Sequence, residues 1–169
     1  MNNEIKKYIK DVKDFPIEGI IFKDISPLLA SPEMMKKVTQ EFAKETKGAD
    51  IIVGADARGF LFGTPLSMET NIPFAMVRKP GKLPGEVISF EYELEYGTDK
   101  LEILKDSIKP GQKVIIVDDL LATGGTVGAI VKLVKSLGAT VVKALFVIEL
   151  EFLNGKDIID APIKSLVKY

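Results

Sequence analysis

Four consecutive β-branched residues, Val114-Ile115-Ile116-Val117, run directly into two acids, Asp118 and Asp119. The small-residue stretch Ala122-Thr123-Gly124-Gly125-Thr126 follows. An unbroken apolar run, rather than an alternating one, reads as a strand buried on both faces, as in a parallel sheet. Beyond the glycines, Ile130, Val131 and Val134 recur at helical spacing up to Gly138, which predicts a helix over Val127–Leu137. A doubly buried strand that turns tightly into a helix is half of a βαβ unit. It commits the chain to an α/β architecture with a mainly parallel central sheet flanked by helices.

The other segments fit that plan. Ile51–Val53 and Phe74–Val77 read as strands with a helix over Gly59–Glu69 between them, and Val141–Leu150 reads as a further strand. Ser31, Pro32 and Glu33 form a helix start, and Met34, Met35, Val38 and Phe42 mark its buried face, with Gly48 as its stop. Ile5, Tyr8, Ile9 and Val12 fall at helical spacing, so an amphipathic helix is expected up to Phe15-Pro16. An apolar-rich loop is expected from Gly19 to Pro27. Residues 79–86 read as a Pro/Gly loop with lysines, and Ile88–Leu94 and Leu101–Leu104 as paired strands about Tyr96-Gly97-Thr98. With no repeat or linker, 169 residues imply a single domain over 1–169.

Composition narrows the chemistry. The chain has 0 His and 0 Cys. That excludes a Ser-His-Asp triad, a cysteine nucleophile, disulfides and His/Cys metal sites. Proton transfer falls to carboxylates, Lys, Tyr, water or substrate. With 23 Lys+Arg against 24 Asp+Glu, no charge excess points to nucleic acid or to an anionic membrane. No stretch approaches the roughly 20 apolar residues of a membrane span. A soluble, cytoplasmic protein is expected, and the absent cysteine fits a reducing compartment.

The loop after Asp119 lies where ligands bind in open α/β sheets, at the carboxyl ends of strands. Gly124 and Gly125 let backbone N–H groups surround an anion, Thr123 and Thr126 add hydroxyl donors, and the helix N-terminus adds partial positive charge. Phosphate suits such a nest. Two acids beside a phosphate repel it and each other, and a cis-diol gives them a purpose, since each carboxylate can accept from a ribose hydroxyl. The segment reads as a cradle for ribose 5-phosphate. It is not a P-loop, because no Lys lies between Asp119 and Val131. Nor is it a dinucleotide fingerprint, because the glycines run Gly124-Gly125-x-x-Gly128.

V-I-I-V-D-D-L-L-A-T-G-G-T (Val114–Thr126) resembles the phosphoribosyl diphosphate (PRPP) motif of the type I phosphoribosyltransferases. Four further blocks are similar to the adenine branch of that family: Asp14–Leu29, Gly54–Phe60, Arg78–Glu86 and Tyr92–Asp99. The resemblance implies a single-domain type I phosphoribosyltransferase fold with a flexible lid hairpin at about residues 79–104. Residues 1–30 would contribute to the base pocket. It implies transfer of a 5-phosphoribosyl group from PRPP to adenine, giving AMP and diphosphate. Asp118, Asp119, Ala122, Thr123, Gly124, Gly125 and Thr126 would hold the ribose phosphate, and Arg58, Arg78, Lys79 and Lys82 the diphosphate. Adenine would stack on Phe22 with its edge on the backbone of Ile21 and Lys23. Glu95 would assist at the base imidazole. Taken without the resemblance, Arg58 and the 78–82 cations read as surface charge, Phe22 as core filling and Glu95 as exposed strand charge. Phe90 stands where many members carry a polar residue. Mg²⁺ is expected to arrive with PRPP, without a dedicated protein metal site. A homodimer is implied, which leaves open whether Arg78 serves its own subunit or its partner's. Two other readings stay open: transfer to xanthine, hypoxanthine or guanine, and a non-catalytic PRPP-sensing regulator.

Overall fold

The run Val114–Val117 is the middle of a five-stranded, all-parallel sheet. A computed structural model of the chain describes residues 2–94 and 97–169. The sheet contains β3 (Ile51–Ala55), β4 (Phe74–Val77), β7 (Lys113–Leu121), β8 (Thr140–Glu149) and β9 (Ile163–Lys168). Their order is β4-β3-β7-β8-β9, each neighbouring pair parallel. Helix α4 (Arg58–Thr70) connects β3 to β4, and α5 (Gly125–Ser136) connects β7 to β8. Alternate residues of the central strands feed two apolar layers. Val53, Val114 and Ile116 pack with Ile130 and Val134 of α5. Ile52, Ile115 and Val117 pack with Val38 and Phe42 of α3 (Pro32–Ala43) and with Phe62 and Leu66 of α4.

The paired strands expected after the 79–86 loop are present as β5 (Val87–Leu94) and β6 (Gly97–Leu104), antiparallel from Val87↔Leu104 to Leu94↔Gly97. Leu101 and Ile103 bury into the α5-side layer, so the hairpin is packed on the domain rather than free of it. α3 starts as predicted, with the Ser31 hydroxyl accepting from Met34 N–H at 3.3 Å.

Four expectations are corrected. Helix α1 covers only Asn2–Lys6, and Lys10–Lys13 form β1, paired antiparallel with β2 (Ile21–Asp24). Ile5 and Ile9 do reach the core, but Val12 lies opposite Phe22. A short helical period yields here to a strand partner that the period cannot reveal. The expected loop from Gly19 to Pro27 accordingly holds β2 and the start of α2 (Ser26–Leu29). α3 ends at Ala43, where the Thr46 hydroxyl donates to the Ala43 carbonyl at 2.9 Å, and Gly48 (φ 79°) serves the turn into β3 instead. Finally, β7 does not stop at the aspartates. The long partner β8 carries pairing on through Asp118↔Phe146 to Leu121↔Glu149. The last segment, with β9, carried no prediction.

Helix α4 lies close to the sheet because two glycines make room for one ring. A Cβ at Gly54 would sit 2.9 Å from the Phe74 ring, and a Cβ at Gly63 would collide with the same ring. Phe60 packs edge-on against it at 5.9 Å, which limits its retreat. Helix propensity alone favours Gly63→Ala by about 1 kcal/mol. The packing predicts the opposite sign, a loss of about 1–3 kcal/mol from overpacking. Urea denaturation of Gly63→Ala should show a lower midpoint; a raised midpoint would refute the packing argument.

Candidate active site

Strand order reverses between β3 and β7. From β3 the chain crosses to β4 on one side, and from β7 it crosses to β8 on the other. The two outgoing loops therefore diverge and leave a crevice at the carboxyl ends of the strands. A cavity of about 270 Å³ occupies it, lined by residues 55–58 and 118–127. Two loops far apart in sequence, residues 55–58 and 118–127, thus face one space.

Glycines set how tightly this region closes. A Cβ at Gly59 would lie 2.8 Å from the Val117 carbonyl and 3.4 Å from the Asp118 carboxylate, so the first turn of α4 rests on the end of β7. That contact brings Arg58 Nε to 3.1 Å from Asp119 Oδ2. Gly124 caps α5 at φ 83°, in the left-handed region that glycine enters without steric cost. The N-terminus of the twelve-residue α5 faces the cavity through Gly125 and Thr126.

Both aspartates are perturbed in the same direction. Asp119 is only 3% exposed, and its backbone N–H donates to Asp118 Oδ1 at 2.9 Å. Burial, with the Asp119 charge adding to it, pushes Asp118 up to about 7. Burial also raises Asp119, against the pull of the Arg58 guanidinium. Two adjacent carboxylates share one guanidinium. A diol would supply hydroxyl donors to both and favour their ionised forms.

The second cation group converges on an acid that the sequence reading passed over. Arg78 Nε donates to Asp56 Oδ2 at 2.9 Å, its Nη1 donates to the Lys82 carbonyl at 3.2 Å, and Lys82 Nζ lies 3.7 Å from Asp56 Oδ2. Asp56 lines the cavity, and its peptide bond to Ala57 is cis. Arg78 and Lys82 are thus drawn together on an acid of the cavity lining. Lys79 is not: it pairs with Asp99 of β6, whose carboxylate also accepts from the Tyr92 hydroxyl at 3.1 Å. A buried Glu102 organises the loop between them, accepting from Gly81 N–H at 3.0 Å and from the Ser89 hydroxyl at 3.2 Å. Asp56 stands inside the quoted block Gly54–Phe60, which was its only signal. Glu102 had none, because its partners are a backbone amide and a hydroxyl from other segments.

Phe22 sits half-buried on β2, edge-on to Phe15 at 5.2 Å, with the Arg58 guanidinium 5.8 Å from its ring centre. Arg58 therefore joins the ribbon to the aspartates. Ile21 is exposed, while Lys23 is held by Asp11 at 2.7 Å and lies over the Tyr169 ring. Glu95 lies outside the described residues.

Comparison with known proteins agrees with this geometry. Residues 24–165 match the family described as "Phosphoribosyl transferase domain". An adenine phosphoribosyltransferase from Mycoplasma mobile is 59% identical over 167 residues, covering 99% of this chain and 98% of the relative. The chain belongs to the adenine phosphoribosyltransferases. The crystal structure of the Thermoanaerobacter pseudethanolicus adenine phosphoribosyltransferase superposes with a TM-score of 0.94 at 50% identity, each chain fully covered. That of the Saccharomyces cerevisiae enzyme, complexed with an imino-altritol bisphosphate and adenine, gives 0.93 at 41% identity over 98% of this chain and 97% of its own. The predicted type I phosphoribosyltransferase fold is therefore present. Among the described residues, no helix is long and apolar enough to cross a membrane.

The buried aspartates link ligand-free stability to pH. A carboxyl whose folded pKa (about 7) exceeds its ordinary 3.8 binds its proton more tightly when folded. Stability from this source is full below the lower value and is lost as pH rises through the upper one. Asp119, also raised, acts in the same direction. Asp118→Asn should flatten the decline of the thermal midpoint across that window. A wild-type slope in the variant would count against the burial.

Proposed function

We propose a division of labour by which this chain transfers the 5-phosphoribosyl group of PRPP to adenine, giving AMP and diphosphate. The observation that supports it best is the shared cavity: the glycine cup, both aspartates and Arg58 line one space at the strand-order reversal. Residues 122–126 hold the 5-phosphate through backbone N–H groups and the Thr123 and Thr126 hydroxyls. Asp118 and Asp119 accept from the ribose hydroxyls, and as carboxylates they favour the oxocarbenium-like charge that develops at the anomeric carbon. Arg58, Arg78 and Lys82 take up charge on the departing diphosphate. Lys79, the fourth cation of that set, is held on Asp99 of the hairpin.

The N-terminal segment, residues 1–30, contributes the base pocket. Phe22 offers a face for adenine stacking. Ile21 and Lys23 are two apart on β2, so their backbone groups point to the same side of the strand. A carbonyl there accepts from the 6-amino group while an N–H donates to ring N1. An oxo-purine mismatches both contacts, and buried mismatches of this kind discriminate by orders of magnitude. Glu95 assists proton removal at the imidazole edge. The hairpin at 79–104 acts as a lid that excludes water, the competing nucleophile. The donor set fits Mg²⁺ entering on PRPP, since Asp118 and Asp119 are hard oxygen ligands lining the same cavity. Bound there, the cation supplies positive charge against the leaving group. The protein works as a cytoplasmic homodimer, without nucleic acid.

The direct test is to mix pure protein with PRPP, Mg²⁺ and each purine base and to assay nucleotide and diphosphate. AMP from adenine alone is expected; faster use of hypoxanthine, guanine or xanthine would overturn the base assignment, and tight PRPP binding without any product would mark a regulator. Asp118→Asn combined with Asp119→Asn should lower kcat/KM by at least about 100-fold with the fold retained. Wild-type turnover would remove the pair from the ribose site. Glu95→Gln should lower kcat by about 100-fold while substrate KM values change little. An unaltered kcat would take Glu95 out of catalysis.

A further inference from the structure

The segment after β8 passes behind the phosphate cup. It forms two 3-10 turns, Glu151–Leu153 and Gly155–Ile158, and then leads into β9. From 151 to 158 every residue is exposed except Gly155, which is buried. Gly155 is not in the left-handed region, so backbone conformation does not explain its identity. Space does. A Cβ at Gly155 would collide with the Ala122 carbonyl and would lie 2.8 Å from both Gly124 N and the Thr123 carbonyl carbon. From the other side, a Cβ at Gly124 would collide with the Gly155 carbonyl and would stand 3.1 Å from Ile158 Cγ1. Two backbones are in direct contact, which only a pair of glycines permits.

We propose that Gly155, with Ile158 beside it, is a positioning residue that sets the shape of the phosphate-binding loop 122–126 from behind. This rests on the reading of that loop as the 5-phosphate site. The loop's own bonds do not hold it alone. Its N-cap, Gly124, has no side chain to make a capping bond. The turn behind it is well anchored. Ile159 is buried in the α5-side layer, Ile159 N–H donates to the Lys156 carbonyl at 3.2 Å, and Ala144 N–H donates to the Pro162 carbonyl at 2.8 Å as β9 joins the sheet. The cup is thus pressed between α5 and a turn fixed to the sheet. Backbone donors bind an anion well only when they are aimed before it arrives. Gly155 touches no substrate, and its effect passes through the amides it supports.

The position of Gly155 predicts a selective defect. The probes are ribose 5-phosphate, which carries the 5-phosphate, and inorganic diphosphate, which does not. Gly155→Ala should weaken ribose 5-phosphate by about tenfold and leave diphosphate within about twofold, the scale expected for a displacement of the donors by a fraction of an ångström. Ile158→Ala should act in the same direction, more weakly, and carries the test if Gly155→Ala does not fold. A merely destabilised protein would lose active fraction and thermal midpoint while the folded molecules kept both affinities. Calorimetric titration of folded variant therefore separates the two roles. Unchanged ribose 5-phosphate affinity, or an equal loss for both probes, would overturn the proposal. Thr123→Ala provides the control on its premise. If that change weakens ribose 5-phosphate while Gly155→Ala does not, the cup stands and only the role of Gly155 falls. If Thr123→Ala also has no effect, both fall.

Discussion

The divergence of two loops where the parallel sheet reverses its strand order governs the rest of this molecule. β3 and β7 are adjacent and parallel, yet their crossover helices leave in opposite directions. Parallel strands deliver all their carboxyl ends to one edge, and right-handed crossovers cover both faces. A crevice at the reversal is therefore a property of the topology rather than of any side chain. Arg58 enters it from one loop, and Asp118, Asp119 and the glycine cup enter from the other. The close seating of Gly59 on the end of β7 converts adjacency into contact.

That contact places charge where charge is unfavourable. β7 carries its pairing through the aspartates, so the sheet holds Asp119 buried and Asp118 half-buried beside it. Burial raises both carboxyls, the Asp119 charge raises Asp118 further, and the Arg58 guanidinium offsets only part of that. A ligand that brought hydroxyl donors would favour the ionised forms of both carboxyls. Stability forgone at such a site is a common feature of binding chemistry. Beside it, the loop at 122–124 and the turn at Gly155 are in direct backbone contact.

The peripheral elements bring in what the central sheet cannot. The β1–β2 ribbon presents Phe22 to Arg58, and it is tied down by Asp11 and by the Lys23 stack on Tyr169 near the chain's other end. The β5–β6 hairpin is attached through Glu102, whose carboxylate links the 79–86 loop to β5 and whose backbone pairs with Arg78. Lys79 shows why a run of cations is not one unit: two residues converge on Asp56, and the third is claimed by the hairpin.

By itself the sequence determined the α/β class, the buried strand at 114–117, the helices at either side of it and the glycine turn at 124–125 that opens the second of them. Each of these is local, because doubly buried strands, helical periods, caps and glycine-hydroxyl turns are written in neighbouring residues. Family resemblance singled out Arg58, Arg78, Lys82 and Phe22, which no spacing could connect; the structure shows Arg58 in contact with both Asp119 and Phe22. Only tertiary structure decided that Lys10–Lys13 are a strand, that β7 runs on to Leu121, that Asp56 gathers Arg78 and Lys82 while Glu102 ties their loop to the hairpin, and that Gly155 packs against the 122–124 backbone. All four depend on a partner distant in the chain: a second strand, a long neighbour, a converging loop, a facing backbone. Local periodicity carries no information about such partners, and their pairing energies are large enough to override it.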